Sequence, residues 1–261
     1  MPRGAWHGEV QKCMSSTMEA TVTREGRDAQ VLEEVAVRWM EERPKVGVDP
    51  DVCWVEPCPP EGKRLRSLLT WKKGHVVPLV ALEVVSPSNP TKDYEIAPER
   101  YGNLGVKELW IFDPDLEGPR AFGGPYRLQV WRREAEGFHR VHAGDGPFKS
   151  TAFGAWLVLT QERRMLRLAD DPFGQKLWPT VAEHERAEKE RERAEKERAT
   201  NGAARVLLRG LARRLARALD EPEQRAVLRA LETTSADALD EALDALDDGA
   251  LAAWFEVRRG A

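Results

Sequence analysis

From Met1 to Pro179 the chain is a series of short apolar runs bounded by Gly, Pro or Asp. Val52–Val55, Val76–Val85, Leu109–Phe112, Leu128–Trp131, Phe138–Val141, Trp156–Leu159 and Met165–Leu168 have the composition and length of β-strands. Two stretches carry helical spacing instead. Gln30–Met40 places Val31, Leu32, Val35, Ala36 and Trp39 at helical intervals ahead of Pro44, and Lys92–Leu104 closes at Gly105 as a helix C-terminus does. Strands interleaved with helices predict a mixed α/β (α+β) core, and eight of the nine tryptophans fall within it.

Beyond Pro179 the pattern changes twice. Thr180-Val-Ala-Glu183 is a capping-box start, and the run behind it repeats as Arg186–Glu192 (RAEKERE) and Arg193–Ala199 (RAEKERA). A seven-residue period is the mark of a coiled coil, but each repeat has only one alanine where a seam needs two apolar positions. A solvated helix held by i,i+4 pairs such as Glu185–Lys189 and Glu192–Lys196 fits better, a spacer of roughly 30 Å for about 20 residues. After Gly202, Leu207, Leu208, Leu211, Leu215 and Leu219 form a stripe. Pro222 opens a second helix, and Ser235 caps a third that ends at Gly249. The expected layout is a core over 1–179, a charged spacer helix over 180–202, and a helical extension over 203–261 serving oligomerisation or partner binding.

Composition sharpens this layout. The 261 residues are 32% charged with a net charge of −4, and the charged excess sits in the spacer, where Glu183–Arg198 holds 7 acidic and 6 basic residues. The part up to Ala182 has 26 acidic and 25 basic residues, so any nucleic-acid contact must use a local patch and not a broad field. Cys53 and Cys58 are too far apart for a C-x-x-C motif, and three cysteines make no disulfide framework, which points to a reducing, cytoplasmic setting. The longest apolar run, Val76–Val85, is broken by Pro78 and Glu83 and is short of the ~20 residues of a membrane span, so a soluble protein with no membrane partner is expected.

Two carboxylates carry candidate chemistry. Asp51 stands at the mouth of one strand run, and Glu83 lies inside another that is otherwise apolar, a costly place for a charge unless it is paired or metal-bound. If the two side chains meet at ~4 Å, their repulsion is about 4 kcal/mol at an effective dielectric near 20. A divalent cation removes that penalty, and hard oxygen donors suit Mg²⁺ or Mn²⁺.

These residues stand in a recognisable order. Asp51 in a Pro-Asp doublet and Glu83 in Glu83-Val-Val-Ser86-Pro-Ser88 are followed by Asp93, Tyr101, Gly105-Val106 and Trp110-Ile-Phe-Asp113-Pro114. Over roughly Gln30–Leu168 the chain resembles the bacterial restriction-endonuclease-like family of the PD-(D/E)xK nuclease superfamily. The resemblance implies a mixed central sheet flanked by helices and a DNA endonuclease hydrolysing phosphodiesters through a metal-activated water. It implies Asp51 and Glu83 as catalytic ligands of Mg²⁺ or Mn²⁺, with the Val84 carbonyl completing the protein donors. Ser86, Asp93 and Tyr101 stand in support.

One departure matters. The superfamily lysine two residues after the glutamate is Val85 here, and the position four residues after Asp93, where this family carries it, is Ala97. Lys92 and Arg100 are the nearest cations in sequence. A catalytically degenerate nuclease fold that binds nucleic acid or protein is therefore the alternative. The dense basic cluster Lys63, Arg64, Arg66, Lys72 and Lys73, around Trp71, is the candidate phosphate contact for DNA. Ser86-Pro-Ser-Asn-Pro90 reads chiefly as a strand-to-helix connection, Tyr101 as core, and Asp113-Pro114 as a strand end. His139 and His142 would face opposite ways along a strand, and the other histidines show no partner in sequence.

Overall fold

A computed structural model describes residues 5–259. The chain divides into two compact units, Met1–His184 and Glu185–Ala261. In the first, helix α1 (Ala5–Glu25) leads to strands β1 (Gln30–Glu33), β2 (Ala36–Arg38), β3 (Gly47–Val48), β4 (Val52–Val55), β5 (Ser67–Leu69) and β6 (Val80–Val84). A π-helical turn over Lys92–Ile96 runs into α2 (Ala97–Leu104) and then β7 (Glu108–Phe112). Strands β8 (Leu128–Glu134), β9 (Gly137–Gly144), β10 (Phe148–Lys149), β11 (Trp156–Thr160) and β12 (Met165–Ala169) follow.

The central sheet has six strands in the order β1-β4-β6-β7-β8-β9, with two smaller sheets, β3-β2-β5 and β10-β11-β12. It is mixed: β6 pairs parallel with β7 (Glu83↔Ile111, Val84↔Phe112), while β4 runs antiparallel to β6 (Val52↔Leu82). The βαβ crossover through α2 joins the parallel pair, as the strand–helix–strand pattern requires. Every residue of β4, β6 and β7 is buried, because both sheet faces are covered. Trp54, Leu82, Val84, Trp110 and Phe112 pack with Val10, Met14 and Met18 of α1 on one face. Cys53, Val55, Ala81, Val85, Leu109 and Ile111 pack with Tyr101 and Leu104 of α2 on the other.

This two-sided burial explains a correction. Gln30–Met40 is not a helix but strands β1 and β2 joined at Glu34, whose φ of 51° is incompatible with a right-handed helix and whose N–H bonds to the Pro50 carbonyl at 3.0 Å. Val31 packs towards α1 and Leu32 towards α2. Apolar neighbours on opposite faces of a sheet mimic helical spacing. Helix α1 was not legible because its buried face is partly Ser15, Thr17 and Thr21, whose hydroxyls bond back to the carbonyls of Lys12, Cys13 and Thr17 (3.3, 2.8 and 3.0 Å).

In the C-terminal part, helix α3 runs unbroken over Val181–Arg214, so Gly202 does not end a spacer. It is followed by α4 (Glu221–Thr233), α5 (Ala236–Asp244) and α6 (Asp248–Arg259). Asp220 caps α4 in a full capping box with Glu223, and Ser235 caps α5. Gly249 falls in the first turn of α6 instead of closing α5. Leu207, Leu211, Leu219, Val227, Leu239, Leu243, Leu251 and Phe255 pack against one another as the core of this unit. No helix among the described residues is long and apolar enough to cross a membrane.

Candidate active site

The antiparallel register Val52↔Leu82 sets Asp51, one residue before β4, across from Glu83 on β6. Asp51 Oδ2 accepts the Val84 N–H at 2.6 Å, which locks the two carboxylate-bearing segments together. The alternation that points Leu82 and Val84 at α1 points Glu83 at α2. There Tyr101, itself fully buried, donates its hydroxyl to Glu83 Oε1 at 2.5 Å.

The π-turn brings the remaining charges. Lys92 Nζ lies 3.7 Å from Glu83 Oε2 and 3.8 Å from Asp93 Oδ1. Glu83 and Asp93 are 3% and 4% exposed, whereas the Lys92 side chain is half in solvent. Burial pushes the Glu83 carboxyl up to about 8, with the Asp51 charge adding to it and Lys92 and the Tyr101 hydroxyl only partly opposing. Burial likewise raises Asp93 to about 6, opposed first by Lys92. Burial works against the Lys92 ammonium, but the charges of Glu83, Asp93 and Asp51 outweigh it and raise its pKa. From the strands and the π-turn, three clustered carboxyl groups thus face one half-exposed lysine.

Helix α1 supplies a residue that sequence reading missed. His7 Nε2 lies 3.4 Å from Asp51 Oδ2, and one turn later Gln11 donates to the Asp51 carbonyl at 3.2 Å. The hydrogen bond to Asp51 raises the His7 pKa against the effect of burial. The i,i+4 spacing of a histidine and a glutamine on one helix face was the available signal; their target lies about 40 residues away and appears only in the fold. His75, also without an evident partner in sequence, pairs with Glu61 at 3.0 Å.

The other expected residues separate clearly. Ser86 Oγ lies 2.8 Å from Ser88 Oγ within the strand-to-helix turn, and its backbone hydrogen bond with Asp93 ties that turn to the helix. Arg100 donates to the Gly47 carbonyl at 3.4 Å. Ala97 is buried in the α2 core, 3% exposed. Part of the basic cluster can be placed relative to the site. Gln30 holds the Gly62 carbonyl at 2.9 Å, and Gln30 pairs with Val55, so the turn bearing Lys63 and Arg64 sits at the end of β4 away from Asp51. His139 pairs with Glu134 at 3.2 Å and His142 rests against Phe148, so the two share no site.

The donors suit one hard cation. No group of three or more His, Cys, Asp and Glu side chains that could hold a metal is found among the described residues. What the fold offers is two carboxylates and a backbone oxygen. Val85 N–H bonds to Phe112 on the β7 side, so by alternation the N–H and C=O of Val84 face the β4 edge, where its N–H meets Asp51. Asp51, Glu83 and the Val84 carbonyl therefore converge on one edge with an acidic excess, and a divalent ion fits them.

The family model "Putative restriction endonuclease" (Uma2) matches residues 1–160. The chain belongs to this family. The match begins before α1, so it takes in the helix that carries His7, and membership classes the chain with nucleases, hydrolases of phosphodiester bonds. A solved structure described as a "putative nuclease belonging to DUF820" from Anabaena variabilis ATCC 29413 is 18% identical, over 59% of this chain and 76% of that one, with a TM-score of 0.41. No curated protein matches.

Proposed function

We propose that this family member is a divalent-metal-dependent DNA endonuclease in which Lys92 does the work of the lysine absent from positions 85 and 97. The observation that carries this reading is the Lys92 ammonium beside Glu83 and Asp93 at the edge where Asp51 and Val84 meet. Asp51, Glu83 and the Val84 carbonyl would hold Mg²⁺ or Mn²⁺. Such an ion, when bound, supplies Lewis-acid polarisation of the phosphodiester and acidifies a bound water. Lys92 contributes a fixed cation that orients the attacking water and offsets charge developing on the phosphate. Tyr101 and Lys92 hold the two oxygens of Glu83 in place, and Asp93 keeps Lys92 at the site.

Lys63, Arg64, Arg66, Lys72 and Lys73 are proposed as flanking phosphate contacts, away from the cleavage point, and would make binding salt-dependent. Self-association through the C-terminal helices belongs to the same proposal. Light scattering that gives a monomer mass for the full chain rejects it.

Plasmid incubated with protein and Mg²⁺ or Mn²⁺ tests the activity, beside Lys92→Ala and an Asp51→Ala/Glu83→Ala double variant. Metal-dependent nicking by the wild type and none by the double variant is the expected result. Buried Ala97 favours the second reading, a fold that binds without cutting. Retained DNA binding with no nicking on any substrate would select it.

A further inference from the structure

Lys92 and Ala97 are five residues apart. On an α-helix, at about 100° per residue, they would point about 140° away from each other. Here the Ala97 N–H bonds to the Lys92 carbonyl, five residues back, which closes one π-turn and brings residue 92 round to the same face as residue 97. A lysine one turn earlier thus shares the helix face of the missing one only because this turn carries an extra residue.

Tyr94, at the centre of that turn, is fastened to a different part of the chain. Its hydroxyl donates to Asp113 Oδ2 at 3.0 Å and contacts the Tyr126 carbonyl at 3.1 Å, and it accepts the Tyr126 N–H at 2.9 Å. Asp113, fully buried, also takes the N–H groups of Glu117 and Gly118 at 3.0 and 2.8 Å. The tyrosine ring lies against two glycines. A Cβ on Gly118 would stand 2.1 Å from the ring, and one on Gly124 would stand 2.5 Å from it. The loop between β7 and β8 is therefore shaped around Tyr94, and Tyr94 is flanked in sequence by Asp93, with Lys92 next to that.

We propose that Tyr94 is a positioning residue: its clamp in the Asp113–Tyr126 loop holds the π-turn, and the π-turn holds Lys92 against Glu83. This rests on Lys92 acting in cleavage as proposed above. Asp51 is held by the Val84 N–H and Glu83 Oε1 by the Tyr101 hydroxyl, neither of them through Tyr94, so both carboxylate donors keep these contacts when the clamp is cut and Glu83 loses only its longer contact to Lys92.

The test is a cycle of Tyr94→Phe, Lys92→Ala and the double variant, with Gly118→Ala as a second way to displace the ring. Cleavage kinetics and calorimetric Mn²⁺ binding are read together. Tyr94→Phe is expected to lower kcat about 10- to 100-fold, the scale of a misplaced group, with KM and Mn²⁺ affinity within about twofold of wild type. Added to Lys92→Ala it should cause no further loss, because both act through one ammonium. Gly118→Ala should share this signature. An unchanged kcat in Tyr94→Phe, losses that multiply in the double variant, or a parallel collapse of Mn²⁺ binding overturns the proposal while leaving the nuclease reading standing. A wild type that binds no Mn²⁺ and cuts nothing takes down both.

Discussion

Glu83→Gln should make the metal-free protein more stable. The Glu83 carboxyl is held at about 8 in the fold against 4.5 for the ordinary group. At pH 7 the unfolded chain ionises it and the fold largely does not, which forfeits about 3 kcal/mol at ~1.4 kcal/mol per pH unit. The amide has nearly the same shape, its oxygen can still accept from Tyr101, and Lys92 keeps Asp93. For a unit of this size about 3 kcal/mol corresponds to roughly 6–12 °C in Tm.

The sign follows from a raised acid. Below 4.5 both states are protonated and there is no cost; between 4.5 and about 8 the unfolded state loses its proton first, so wild-type stability falls as pH rises. The Gln variant should lack that component. Mn²⁺ should reverse the order, raising the wild-type Tm by binding the ionised form and leaving the variant nearly unmoved. Thermal unfolding in EDTA and in Mn²⁺ between pH 5 and 8 measures all of this. A variant no more stable than wild type in EDTA at pH 7, or one with the same pH slope, would refute the picture of a strained buried carboxylate.

Three other outcomes are expected. His7→Ala should weaken Mn²⁺ binding about 10- to 100-fold, as loss of a ligand's supporting contact does, with Tm nearly unchanged because His7 is part-exposed; calorimetry and melting read the two. Glu108 is fully buried and accepts from Arg132, Ser150, Thr151, the Ala152 N–H and Trp110, so Glu108→Gln should cost about 3–5 kcal/mol in denaturant unfolding by removing the buried charge opposite Arg132, which keeps the longer contact to Glu134 at 3.9 Å and the Lys149 carbonyl. Asp220→Ala removes the cap of α4 and should destabilise the C-terminal unit by about 1 kcal/mol, seen as a lower midpoint in its own unfolding.

What could be read from the chain were features with local causes. The strand of β6 is a contiguous apolar run whatever surrounds it, and the glutamate inside it is conspicuous for that reason. The end of α2 follows from Gly105, whose φ of 98° an L side chain rarely adopts, and the starts of α4 and α5 follow from their capping residues. The Asp51–Glu83 pair was legible because one carboxylate stands at the mouth of a strand run, the other inside an apolar one, and their order along the chain resembles that of a nuclease family.

The rest depended on pairing across distance. Gln30–Met40 has apolar neighbours that only a sheet covered on both faces sorts to opposite sides. His7 and Asp51 meet because α1 packs on that sheet, and the i,i+4 pair His7 and Gln11 gave no indication of which residue it would meet. Lys92 is decisive: on an unbroken α-helix it would turn away from the face of Ala97, and the π-turn that turns it back is tied to Tyr94, Asp113 and two glycines from beyond β7. The order of the carboxylates was written along the chain. Which cation lies beside them was a matter of tertiary packing, because a side chain's direction on a helix depends on a hydrogen-bond register that distant contacts can shift.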